Sequence, residues 1–276
     1  MLDELFYKER MHLRKVNFLF FGFIMTLVGI FSGILLFGRD SSVAQILIIT
    51  ILFMPAVMRL FKKAEIREKE CGAKKLFKNH KDILVVFGLM FLGVFLAFLI
   101  VQLVAVSSPE TFRELFDYQI EYLLVNEDLT TGLMDSITGE GHFFMSLGRL
   151  LSVTLGLVAV CFILSLFYGS GGVFLIVLSA SIFSTLMIFL MKMFEFFAHY
   201  SAAFFTMFFL LFIPIIGSFI LAATGGGVIQ KAIISENIES AAYRKVIKDG
   251  ILFLLISVAI VVVSVPLFVG LFSLLL

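Results

Sequence analysis

Long stretches of apolar residues, each separated from the next by a short polar segment, dominate the chain. The first of them contains no charged residue between Phe18 and Gly38. A helix needs about 20 apolar residues to cross the hydrocarbon core of a bilayer, within a range of roughly 17–25. The pattern therefore predicts about six or seven transmembrane helices, at 18–38, 43–61, 83–106, 149–168, 173–191, 200–224 and 251–275. The fifth and sixth stretches could also be bent or partly re-entrant.

The composition agrees with this pattern. Apolar types make up 61% of the 276 residues, and the mean hydropathy is +1.11, whereas soluble domains contain about 45–50% apolar residues. A net charge of +1 provides no overall field for recruiting nucleic acid. We expect an all-α, polytopic transmembrane helical bundle, with residues 1–276 forming a single integral membrane domain, the lipid bilayer around it and no nucleic-acid partner.

The placement of Lys and Arg predicts the orientation. If the N-terminus is cytoplasmic, the inner segments hold 17 of the 21 Lys and Arg residues. The outer segments hold the other four, which are Arg39, Arg113, Arg149 and Lys192. Because cytoplasmic loops carry an excess of positive residues, we expect a multi-pass protein of the cell membrane with its N-terminus in the cytoplasm.

The inner loop at 59–82 is basic and helix-like. Lys62, Glu65 and Lys69 are spaced so that they share one helix face and can form ion pairs. This spacing predicts a solvated helix that extends the second span and draws its Lys side chains toward anionic headgroups. A loop that docks a partner protein is the alternative.

The outer loop at 107–148 is acidic, and its first part predicts a short amphipathic helix. Ser108 is a suitable N-cap, and Pro109 suits the first helical position. Five apolar residues then share one face: Phe112, Leu115, Phe116, Ile120 and Leu123. We expect this helix to pack over the bundle, or else to cap a cavity.

Two glycine-rich stretches mark positions where backbones can approach closely. In "YGSGG", Gly169, Gly171 and Gly172 predict a tight turn or break between two spans. In "FIPIIGSFILAATGGGVIQKAI", Gly225, Gly226 and Gly227 are expected to end a span and to let another segment pack against it. A glycine-lined opening for a substrate is the alternative for this second stretch.

A third pair, Gly29 and Gly33 in "GIFSG", lies four residues apart on one helix face. Small residues at this spacing let two membrane helices pack closely. The partner helix is expected within the same subunit, and a dimer face is the alternative.

Motifs for enzymatic chemistry are missing from the sequence. No H-E-x-x-H is present, and "YGSGG" departs from a G-x-S-x-G nucleophile elbow because Tyr168 occupies the first glycine position. Cys71 lies in a charged loop and Cys161 in an apolar span, so neither a disulfide nor a metal site is expected. We predict that the protein is not an enzyme and has no catalytic, cofactor-binding or metal-binding residues.

Three ionisable residues lie close together in the sequence between the fifth and sixth apolar runs. Lys192, Glu195 and His199 could lie on one helix face, and ionisable side chains inside a bilayer often mark ion or substrate paths. The apolar runs on either side are each long enough to span, so we expect these residues at the outer interface. A proton or ion path, or an intramembrane pair that only holds the packing, remains open.

The order of features resembles the stage II sporulation protein M family, in particular its archaeal members. The matching stretches are "LSLFYGSGGVFLIVLSASIF" (164–183), "FIPIIGSFILAATGGGVIQKAI" (212–233) and "YRKVIKDGILFLLISVAIVV" (243–262). Pro214 fits the family pattern, but the His and Glu that usually stand near it are replaced by apolar residues at 211–215. The resemblance implies a membrane scaffold, because the family member of spore formers tethers cell-wall-degrading partners at the membrane.

These features lead to two hypotheses of different class. The first is a non-enzymatic polytopic membrane protein that scaffolds or remodels membrane with partner proteins, which could be other membrane proteins or further copies of the chain. The alternative is a membrane transporter, channel or lipid translocator, whose binding elements should lie near the midplane.

Overall fold

Helices account for nearly all of the described chain, as expected for a backbone that must satisfy its own hydrogen bonds in lipid. The computed structural model describes residues 16–71, 76–125, 143–168, 171–194, 201–235 and 241–275. Its α-helices in chain order are α1 (Val16–Phe37), α2 (Ser41–Cys71), α3 (Leu76–Ala105), α4 (Pro109–Leu115), α5 (Asp117–Val125), α6 (Phe143–Tyr168), α7 (Gly171–Phe194), α8 (Ser201–Ser235) and α9 (Ala241–Leu275). A short 3-10 helix, Gly38–Asp40, joins α1 to α2.

Seven of these helices are long and apolar enough to cross a membrane, which confirms the predicted class of a polytopic helical bundle. The crossing segments are Asn17–Phe37, Ser41–Arg59, Leu84–Ala105, Leu150–Tyr168, Gly171–Phe189, Phe212–Ile234 and Val246–Leu267. The sixth differs most from the prediction. Helix α8 continues through Gly225–Gly227 to Ser235, so the expectation that these glycines end a span is wrong for the helix.

The spans form two groups that share one central helix. Helices α1, α2 and α3 pack on one another around buried Phe53, Phe87 and Phe98, while α6, α8 and α9 pack around Val158, Phe219 and Val261. Helix α7 contacts both groups. The crossing segments of α7 and α8 are each 78% buried, against 22–50% for the other five. Helices α7 and α8 therefore form the centre of the bundle.

Glycines set the close approach within the first group. A Cβ on Gly33 would lie 2.7 Å from Cγ of Gln45, and a Cβ on Gly29 would lie 3.3 Å from Cα of Ile49. Both contacts join α1 to α2 of the same chain. The prediction that the "GIFSG" face packs within the subunit is therefore confirmed.

The first part of the outer loop folds back over one end of the bundle. Ser108 precedes α4 with extended backbone and Pro109 begins it, as predicted. The expected single helix bends at Phe116 into α4 and α5. Phe112, Phe116 and Leu123 of the predicted apolar face are buried, and the Phe116 ring lies 6.4 Å from that of Phe98. The loop thus packs over the bundle, as the pattern indicated.

Candidate functional site: the glycine junction and two apolar cavities

Glycines from the two predicted stretches meet where α6, α7 and α8 converge. A Cβ on Gly172, in the first turn of α7, would lie 2.6 Å from Cβ of Ala223 and would collide with Oγ of Ser165. A Cβ on Gly226 would lie 2.8 Å from Cβ of Ser165 and 2.9 Å from the backbone N of Leu166. The backbones of these three helices can approach this closely only because both positions lack a side chain.

A second contact of the same kind joins α8 to α9. A Cβ on Gly225 would lie 2.7 Å from the backbone O of Gly250 and 3.0 Å from Cβ of Phe253. No role for Gly250 was predicted from the sequence. The feature that could have indicated one is its place as an isolated glycine directly after "KD", at the start of an apolar run. We call the set Ser165, Gly172, Gly225, Gly226 and Gly250 the glycine junction.

The remaining predicted glycines flank this junction. Gly171 begins α7, and a Cβ there would lie 3.1 Å from Cβ of Tyr168, so its small size allows the sharp passage from α6 to α7. Gly227 is buried in α8. Gly169 lies outside the described residues. The turn predicted between the fourth and fifth spans is thus bounded on both sides by the observed helix ends.

Chemically, the junction is a packing element. The Ser165 hydroxyl is buried and has no hydrogen-bond partner among the described residues. Within the same residues, no group of three or more His, Cys, Asp or Glu side chains could hold a metal ion. Small residues at helix interfaces let backbones approach, and the gain in dispersion contacts drives association in lipid. This arrangement can hold α6, α7, α8 and α9 together.

Charges in the crossing segments occur only near one set of ends. The segments contain Arg59, Lys231, Lys248 and Asp249, all on the side predicted to be cytoplasmic. Lys192 lies in the last turn of α7, beyond the crossing segment that ends at Phe189. Glu195 and His199 lie outside the described residues, so their grouping with Lys192 stays a prediction.

Most of the buried hydroxyl groups described inside the spans bond to their own helices, whereas those of Ser165 and Ser264 have no partner among the described residues. Thr26 donates to the carbonyl O of Gly22 at 2.7 Å, and Thr224 donates to that of Ile220 at 2.7 Å. The hydroxyls of Thr50, Thr154, Ser181, Ser184, Thr185, Ser218 and Ser257 do the same three or four residues back. Such bonds satisfy the donor of each hydroxyl within its own helix.

Two apolar cavities flank helix α8. The first, here called the inner cavity, has a volume of about 130 Å³ and is lined by residues of α5, α6, α7 and α8 that include Tyr122, Leu157, Leu178 and Phe219. Tyr122 and Leu123 of α5 line this cavity. The outer loop therefore also lies against a cavity, the second arrangement that its pattern allowed.

The second cavity, here called the lateral groove, has a volume of about 420 Å³ and lies between α3, α7 and α8. Its lining includes Gly88, Phe91, Leu92, Ile213, Gly217 and Ile220. Phe183 and Phe212 line both cavities, and their rings meet edge to face with centroids 4.2 Å apart. Pro214 stands in α8 between Ile213 of the groove and Ile215 of the inner cavity.

Comparison of the chain with family models, with curated proteins and with solved structures finds no match.

Proposed function

We propose that the protein is a non-enzymatic membrane scaffold that organises or remodels the membrane together with partner proteins. A helical hairpin that projects beyond the spans carries the proposal. Helix α2 continues from Arg59 to Cys71, about 18 Å at 1.5 Å per residue. Helix α3 begins at Leu76, before its crossing segment starts at Leu84. Crossing the bilayer does not require these extensions, so they offer a surface for something outside it.

The charge of this hairpin suits an acidic surface. Between residues 60 and 82 the sequence has eight Lys and Arg residues against four Asp and Glu residues. Each basic residue near an anionic leaflet contributes about 1 kcal/mol of attraction. The same charges would attract an acidic partner protein. Two basic helix extensions that are continuous with two spans are a suitable docking element for a scaffold.

The interior supports this class over a transporter of polar solutes. A transporter places ionisable groups or broken helices near the midplane. In the part of the chain that the structure describes, charged residues of the spans lie near their ends, and most buried hydroxyls bond to their own helices. The resemblance to the stage II sporulation protein M family, which rests on the three quoted stretches, adds a scaffold role to the same proposal.

Two measurements test the proposal. A photo-crosslinking residue at position 77 of the hairpin should form a discrete protein adduct in native membranes, and the double variant Lys62→Glu, Lys69→Glu should lose it. The same probe at Ser107, an exposed residue at the opposite end of the bundle, is the matched control and should form no such adduct. In proteoliposomes, ion and lipid flux should equal that of protein-free vesicles.

Flux above the protein-free level would contradict the scaffold and would favour the transporter class. An adduct that survives charge reversal would show that the basic residues do not dock the partner. Loss of the adduct together with background flux is the expected result.

A further inference from the structure

We propose that the lateral groove binds one acyl chain of a bilayer lipid, with the Phe183–Phe212 pair as its inner wall. The inference is independent of the scaffold role, because it concerns a groove between α3, α7 and α8 and not the extensions of α2 and α3 beyond the spans.

The location of the groove determines what surrounds it. Its mouth is formed by Leu92 and Ile213, which are 41% and 67% exposed, and its floor by Phe91 and Ile220, which are almost fully buried. All four residues belong to crossing segments. Phe183, in the wall, lies near the middle of α7. The mouth therefore faces the hydrocarbon core, where the only abundant occupant is a lipid tail.

The shape of the groove matches the direction of such a tail. Along α3 its lining extends from Gly88 to Phe95, about 10 Å, and along α8 from Phe212 to Ile220, about 12 Å. Transmembrane helices tilt by about 20° from the bilayer normal on average. A groove that follows two of them therefore runs close to the direction in which lipid tails are aligned. Its lining is apolar throughout, which suits a tail and not a headgroup or polar solute.

Two glycines keep the groove open without serving helix packing. A Cβ on Gly88 or on Gly217 would meet no atom within 4 Å, whereas Gly22, Gly93 and the glycines of the junction would all collide with a neighbouring helix. Glycine inside a helix costs about 1 kcal/mol relative to alanine. Close helix contact does not offset that cost at these two positions. A larger side chain at either one would enter the groove.

The aromatic pair limits how far the chain can reach. Because Phe183 and Phe212 line both cavities, their edge-to-face contact separates the groove from the inner cavity. An acyl chain in the groove thus lies against these rings on its inner side. The inner cavity beyond them is similar in size to an apolar protein cavity of about 150 Å³ that stays dry and binds benzene.

A photoactivatable phospholipid with a diazirine on its acyl chain tests the proposal in nanodiscs. Labelling of groove residues is measured by mass spectrometry relative to Leu35 and Leu36, which are lipid-facing residues of α1. In Gly217→Leu the ratio of groove labelling to labelling of Leu35 and Leu36 should fall roughly tenfold, which is equivalent to about 1.4 kcal/mol of binding free energy. Gly88→Leu closes the groove from its other wall and should give the same fall.

Gly156→Leu is the matched control. Gly156 is a helical glycine of α6 with nothing within 4 Å of its Cβ position, but it does not line the groove. Its labelling ratio should equal that of the parent. An unchanged ratio in Gly217→Leu and Gly88→Leu would overturn the proposal, as would a disulfide between two copies of Ile213→Cys in the bilayer, since a second copy would then occupy the groove.

Discussion

At Gly226 the absence of a side chain decides the distance between two helices. The atoms that a Cβ would meet include the backbone O of Phe162 and the backbone N of Leu166, the latter at 2.9 Å. Main-chain atoms cannot rotate away, so α6 and α8 would have to separate. Gly226→Ala should therefore lower the melting temperature in detergent, despite the gain of about 1 kcal/mol in helix propensity, and Gly226→Leu should lower it further.

Gly156→Ala provides the comparison, because that position is exposed and open. Its melting temperature, measured by fluorescence-detected size exclusion, should stay unchanged or rise. The contacts with backbone atoms predict a clear loss for both Gly226 variants. If the melting temperature of Gly226→Ala equals that of Gly156→Ala, the glycine junction does not set the distance between α6 and α8.

Two buried glutamines differ in their hydrogen bonding, which predicts different effects of replacing them. Gln102 donates from Nε2 to Oγ1 of Thr185 at 2.8 Å, while neither amide atom of Gln119 has a partner among the described residues. An unsatisfied buried polar group costs about 1–3 kcal/mol, and a made hydrogen bond contributes about 1 kcal/mol. Gln119→Leu should therefore be neutral or stabilising in thermal unfolding. Gln102→Leu should be less stable than Gln119→Leu, because it loses a hydrogen bond and removes only one unsatisfied atom, its Oε1. A Gln119→Leu variant less stable than Gln102→Leu would contradict this.

Helix α5 joins the outer loop to the bundle. The burial of Tyr122 depends on α5 packing against the bundle, so the titration of Tyr122 tests that packing. Burial raises the pKa of Tyr122 above its ordinary value of 10.0, and the nearby Tyr118 raises it further. The unfolded chain therefore loses this proton first as the pH rises. The free energy of unfolding should be unaffected by this group below pH 10, and it should fall as the pH rises from that value to the raised pKa of Tyr122.

Tyr122→Phe has no such proton to lose, so its stability should fall less over the same alkaline range. Tyr118→Phe removes the smaller cause and should leave part of the effect. Thermal unfolding at pH values on either side of 10 measures the difference. Equal alkaline losses in the parent and in Tyr122→Phe would show that α5 does not bury this hydroxyl.

Helix α8 illustrates why three consecutive glycines need not end a helix. Each costs about 1 kcal/mol relative to alanine, and in water that cost would favour a break. In this bundle Gly225 contacts α9 and Gly226 contacts α6, so the close packing against two helices offsets the cost. The helix consequently continues to Ser235.

For the whole molecule, the orientation remains the main prediction from the sequence. The distribution of Lys and Arg places residues 59–82 in the cytoplasm and 107–148 outside. A cysteine introduced at Ser107, which is exposed at the end of α3, or at Thr131 should react with an impermeant reagent on intact cells. Native Cys71 should stay protected until the membrane is opened. Labelling of Cys71 but not of the introduced cysteine would reverse the topology.

Cys161 does not disturb this measurement, because it is buried between the helices. A Cys71→Ser variant should abolish labelling after permeabilisation, which identifies the reacting thiol.

The sequence alone was enough to predict the class of the protein, a count of six or seven spans and the apolar face of the outer loop. Uninterrupted apolar runs leave a backbone in lipid with no alternative to the helix. The face of Phe112, Phe116 and Leu123 follows from helical periodicity alone. These features depend on residues that are neighbours along the chain, so the sequence pattern is enough to predict them.

The glycines that pack against another helix and those that leave space can be told apart only in the folded bundle. Gly226 and Gly217 are both glycines in one apolar helix, yet a Cβ on the first would collide with α6 and a Cβ on the second would meet nothing. The pairing of Gly225 with Gly250, and the wall that Phe183 and Phe212 form between two cavities, join residues far apart in sequence. The physical reason is that close approach and empty space are properties of two or more helices together, and the local pattern of any one helix does not contain them.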